Sequence, residues 1–117
     1  MSNVLHIIYG IPLIYPEGEK VEYSDELNQL IYDVDEQPEA GVLSYYEMGP
    51  IRPVAFGVEL TTITQDKMFQ PLPPRSCIVS ASQLQTYHNA WSALSPELQK
   101  EISKFGEPST IAMWSYD

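Results

Sequence analysis

Between Val54 and Thr64 the chain alternates with period two: Val54, Phe56, Val58 and Leu60 on one side, Ala55, Gly57, Glu59 and Thr61 on the other. Helical residues on one face recur every three to four positions, so this pattern commits the chain to a β-sheet. Val4–Ile11 is almost wholly apolar and rich in β-branched residues, which predicts a central strand covered on at least one face. Pro12 and Pro16 end its pairing or put the next segment on an edge. The turn Pro16-Glu17-Gly18-Glu19 predicts a small hairpin of Leu13–Tyr15 with Val21–Tyr23. Gly41 opens a further strand, Val42–Met48, closed by the Gly49-Pro50 turn, and Thr110–Tyr116 reads as the last strand.

Two helical segments separate these strands. Ser24 is an N-cap, Asp25 and Glu26 occupy the first turn, and Leu27, Leu30, Ile31 and Val34 form one apolar stripe that ends before Pro38. After a loop from Gln65 to Arg75, stiffened by Pro71-Leu72-Pro73-Pro74, Ser80 and Gln83 form a capping box. Val79 and Leu84 are spaced as its hydrophobic staple, and Leu84, Tyr87, Trp91 and Leu94 continue as a buried stripe. Ser95-Pro96 restarts the helix with proline at its first position, Leu98, Ile102 and Phe105 carry the apolar face, and Gly106 ends it.

The resulting order is β-α-β-β-α-β with the second α split at Pro96. It predicts a single small α+β domain over residues 1–117, an antiparallel sheet with helices on one face in the ferredoxin-like or split βαβ arrangement. The first and third strands are then central. The other sheet face is left open, or paired with a second subunit through the small, flat set Ala55, Gly57 and Thr61. With one cysteine, Cys77, no internal disulfide forms, and the residue is expected to be small, buried and inert ahead of the capping box. The stretch from Met1 to Leu13 has neither the cationic start of a signal peptide nor an unbroken apolar run, so a cytoplasmic protein is expected.

Charge is the second constraint. The formal charge is −10, and nine carboxylates against one lysine in Glu17–Glu39 supply most of it. A concentrated field of one sign repels nucleic acid and anionic membranes and draws in basic partners. Within it Glu22, Asp25, Glu26, Asp33, Asp35, Glu36 and Glu39 are the candidate partner-binding residues. Asp33, Asp35 and Glu36 are expected in the last turn of the first helix, where the macrodipole disfavours carboxylates by ~0.3–1 kcal/mol each. The final helix obeys that rule, with Glu97 and Glu101 early and Lys100 and Lys104 late. A rule broken in one helix and kept in another marks a surface shaped by something besides stability.

Other chemistries fail on spacing. Asp33-Val34-Asp35-Glu36-Gln37-Pro38-Glu39 begins like a calcium loop, but Pro38 stands where glycine is needed and Ser44 where the bidentate glutamate belongs. His6, His88 and Cys77 lack zinc-ligand spacing, and the six glycines make no phosphate loop. No metal or cofactor is expected. Six cations against sixteen carboxylates exclude a direct nucleic-acid partner.

The expectation is therefore a non-catalytic interaction domain. Its sharper form is an inhibitor whose carboxylates mimic nucleic acid on a basic protein, by analogy of charge and size with short acidic proteins of phages and other mobile elements. The competing expectations are a self-associating assembly subunit, its charge serving solubility, and a small enzyme or ligand-binding domain using His6 or His88. His6 falls inside an apolar strand, where a half-buried imidazole requires a hydrogen-bond partner.

Overall fold

The computed structural model describes residues 3–14, 22–32, 38–45, 53–67, 70–71 and 77–116. Four strands, β1 (Asn3–Pro12), β2 (Ala40–Ser44), β3 (Val54–Thr64) and β4 (Ser109–Tyr116), form one sheet in the spatial order β2-β3-β1-β4. Every neighbouring pair is antiparallel. Three α-helices, α1 (Asp25–Tyr32), α2 (Ala81–Ser92) and α3 (Pro96–Ser103), complete a small α+β domain, with a 3-10 turn at Gln65–Lys67 after β3. The two longest strands, β1 and β3, are central because each must bury both faces.

Register explains the layering. Val42, Phe56 and Ile11 lie opposite one another across three strands, as do Ala40, Val58 and Tyr9. This face meets Leu27 and Ile31 of α1, Tyr87 of α2, and Leu98 and Ile102 of α3 in the main core. At about 25 cal/mol per Å², each fully buried Leu, Ile or Phe side chain contributes roughly 2 kcal/mol to holding the helices there. A second cluster, Ile8, Leu43, Tyr45, Ala55 and Met113, contains no helical residue and occupies the other face.

That second face corrects the picture of an open, flat surface. Ala55 and Gly57 are buried within the single chain. Thr61 does not share their face, because the β1–β3 register slips between Ile7 and Ile8. Ile8 faces Glu59 and Ile7 faces Thr61, which leaves Leu60 as the extra residue of a β-bulge. Beyond it the alternation flips, so Thr62 joins the face of His6 and Ile63 that of Leu5.

Local signals are obeyed closely at the helix starts. Both arms of the capping box form: Ser80 Oγ accepts from the Gln83 N–H at 3.1 Å, and Gln83 Oε1 accepts from the Ser80 N–H at 2.9 Å. Ser24 caps α1 through the Leu27 N–H at 3.2 Å, and Ser95 caps α3 through the Leu98 N–H at 3.2 Å. Leu84, however, is 38 % exposed and leaves the predicted buried stripe, which begins at Tyr87. Cys77 is exposed rather than buried.

The strand predicted from Val42 to Met48 runs from Ala40 and ends at Ser44, with Tyr45 beyond it and residues 46–48 outside the described residues; the proposed Leu13–Tyr15 hairpin lies largely outside them too. The part that is described differs from a hairpin. Leu13 extends the β1–β3 pairing by donating its N–H to the Val54 carbonyl at 2.9 Å, and its own carbonyl accepts from the Tyr23 hydroxyl at 2.7 Å.

Candidate functional site

Three groups of residues bear on function. The first is the acidic surface. Asp25 and Glu26 are exposed in the first turn of α1, where the helix dipole favours them, and no basic residue occupies its last turn. Glu22 and Glu39 are exposed as well. Asp33, Asp35 and Glu36 lie outside the described residues. The fold then adds a carboxylate that the linear charge pattern left out. Glu101 of α3 accepts from the Ser24 N–H at 2.9 Å and the Ser24 hydroxyl at 2.5 Å, while Glu26 of α1 accepts from the Ser95 hydroxyl at 3.0 Å. Each N-cap serine is thus tied to a carboxylate of the other helix. The two helices are locked together and Glu101 joins the acidic end of α1. Among the described residues no group of three or more carboxylates, histidines or cysteines is placed to hold a metal ion.

The second group centres on His6, buried on the sheet face away from the helices. Its Nδ1 lies 3.2 Å from Glu59 Oε1 and its Nε2 lies 2.6 Å from Ser115 Oγ. The other carboxylate oxygen of Glu59 accepts from the Tyr45 hydroxyl at 2.9 Å, and the Tyr45 ring stacks on the imidazole with centroids 3.9 Å apart. Strand register sets this up: β1 carries His6 between Thr62 of β3 and Met113 of β4, one step along from Glu59 and Ser115 on the same face. An ionised Glu59 can only accept, so the proton between the two groups lies on Nδ1, while Nε2 pairs with the Ser115 hydroxyl.

Burial alone would raise the Glu59 pKa, but the hydrogen bonds from His6 and Tyr45 and the charge of His6 together lower it. Tyr45 is pushed far above the ordinary phenol range, by burial first and then by the Glu59 carboxylate.

The third is a cleft of about 400 Å³ on the helix side of the sheet, lined by Ile11, Tyr87, His88, Trp91, Ser103, Gly106, Glu107 and Pro108. Phe56 meets the rings of Tyr87 and Trp91 edge-on at 5.5 and 5.4 Å, which fixes two of its walls. Burial, with a smaller contribution from Tyr9, pushes the Tyr87 phenol up to about 12, so that wall stays neutral.

His6 was legible as an imidazole needing a partner, but Glu59, Tyr45 and Ser115 were not. The signal for Glu59 was a carboxylate inside an apolar strand on the small-residue face; nothing local marked Ser115. His88 is exposed on α2, with its ring against Tyr87 at 5.7 Å, and it does not meet His6. Chemically, the Ser–His–Glu order is that of a nucleophilic triad, but Ser115 is only 9 % exposed and the cleft lies on the opposite face. The network satisfies buried polar groups first. Comparison with family models, with curated proteins and with solved structures returned no match.

Proposed function

We propose that this chain is a non-catalytic interaction domain that presents carboxylates to a basic surface on another protein, in the sharper form a surface that binds nucleic acid. The observation that carries this is the exposed carboxylate group Glu22, Asp25, Glu26 and Glu39, extended by Glu101 at the capped start of α1. The scaffold we infer is the ferredoxin-like, split βαβ arrangement. Its support is the antiparallel order β2-β3-β1-β4 together with helices whose buried residues all join one core. In it α1 offers a rigid edge for charge, since its start is tied to α3 at two points.

The test is capture of partners from native lysate on the tagged chain, followed by a salt wash, repeated with Glu22→Lys and Glu39→Lys together. These two side chains make no hydrogen bond among the described residues, so their reversal spares the fold. A basic nucleic-acid-handling protein, released by salt and bound at least about tenfold more weakly by the variant, is the expected result. Binding indifferent to both changes overturns the reading.

A second reading has one specific observation in its favour: Ser115 Oγ, His6 and Glu59 stand in the order of a hydrolase triad. It predicts covalent labelling of Ser115 by a fluorophosphonate, abolished by His6→Ala. An unlabelled folded protein ends that reading.

A further inference from the structure

We propose that the cleft between α2 and the α3–β4 connection seats an arginine side chain of the protein partner; this rests on the reading of the chain as a binder of basic proteins. Three features converge. Its walls are aromatic and apolar, with Tyr87, His88, Trp91, Ile11 and Pro108 among the lining residues. Among the described lining residues Glu107 is the single carboxylate, and none is lysine or arginine. The chain as a whole carries a formal charge of −10, concentrated in Glu17–Glu39.

Aromatic faces attract a cation through their quadrupole, and a carboxylate beside them receives its N–H groups. A planar guanidinium does both at once, stacking flat on a ring while forking to a carboxylate, whereas an ammonium is a compact, strongly hydrated point charge with neither a flat face nor a fork. An anionic ligand meets Glu107 and the overall charge as repulsion. A purely apolar one takes water from Glu107 and returns no bond.

The cleft is also preformed. Phe56 braces Tyr87 and Trp91 from below. Gly106, at φ +125° with open space where a Cβ would point, takes the backbone conformation that places Glu107 directly after the last turn of α3. About 400 Å³ accommodates an arginine side chain with the neighbouring part of its peptide.

The experiment is an NMR titration of the whole ¹⁵N-labelled chain with N-acetyl-arginine amide. N-acetyl-citrulline amide serves as the uncharged isostere, and both are repeated on Glu107→Gln. Expected are shifts at the Trp91 indole, Gly106 and Glu107, weakened roughly fivefold or more with citrulline and likewise in the variant. Equal binding of citrulline overturns the assignment to a cation. Shifts confined to Glu22, Asp25, Glu26 and Glu39 overturn the cleft as the seat while leaving the acidic surface as partner-binding. Silence over the whole range overturns the cleft. Failure of the acidic-surface reading shows separately, as partner capture that ignores Glu22→Lys with Glu39→Lys.

Discussion

At the scale of single residues the tightest chemistry is the Ser115–His6–Glu59–Tyr45 network, and its pH dependence has a definite sign. Glu59 ionises more readily folded than unfolded, so its stabilising contribution is complete above the ordinary carboxyl pKa of about 4.3. It is lost as pH falls through the lower folded value. Glu59→Gln is therefore expected to melt well below the wild type at pH 7, and the gap between their Tm values should close below about pH 4. A gap that stays constant from pH 7 to 3 would show that the carboxylate is not what the network requires. Removing the Tyr45 hydroxyl in Tyr45→Phe takes away one donor to that charge, a loss of about 1.5 kcal/mol in urea denaturation. His6 pointed to this site from the sequence, but its partners lie 53 and 109 positions away, and only strand pairing brings them within reach.

Elements were legible where their determinants are local. The Ser80–Gln83 box and the Ser95-Pro96 restart lie within four residues of the helices they open, and both formed as spaced. Alternation in β3 was readable up to Glu59 and then failed, because the bulge at Leu60 is a property of two strands together. Burial at Cys77 and Leu84 failed for the same reason: a stripe predicts a face, and the neighbouring element decides how much of it is covered. The helix caps can be ranked by their ties. Ser80→Ala should cost about 1 kcal/mol, and Ser95→Ala more, since Ser95 also donates to Glu26 and ties α3 to α1. Equal losses in equilibrium unfolding would mean the tie contributes nothing.

The central pair β1–β3 depends on a closer fit. A Cβ on Gly10 would overlap the Phe56 carbonyl oxygen and lie 2.6 Å from Gly57 Cα. Those are backbone atoms that no rotamer change can move. Gly10→Ala should therefore destabilise by about 3 kcal/mol or more, read from the denaturation midpoint.

Over the whole molecule, ten excess negative charges occupy a body of 42 × 35 × 29 Å. At 0.01 M salt the Debye length of about 30 Å spans that body, so every carboxylate feels most of the others. At 0.15 M it is about 8 Å, and only near neighbours interact. Two effects compete as salt is added. Screening relieves the mutual repulsion of the acidic surface, and it also weakens the favourable placement of Asp25 and Glu26 at the start of α1. The second effect is confined to one helical turn, whereas the first runs over the whole anionic surface, so repulsion governs the sign. Tm is expected to rise on going from 0.01 to 0.15 M sodium chloride, by roughly 4 °C for each 1 kcal/mol relieved. Glu22→Lys with Glu39→Lys should raise Tm at low salt and lose most of that advantage at 0.15 M, because the repulsion it removes is then already screened. The variant proposed to weaken partner capture is thus expected to be the more stable protein in dilute buffer, the outcome that fits charge held at a proposed binding surface against the interest of stability. A Tm that falls with salt in the wild type would reverse the argument, leaving local dipole and cap interactions as the dominant electrostatics of the chain.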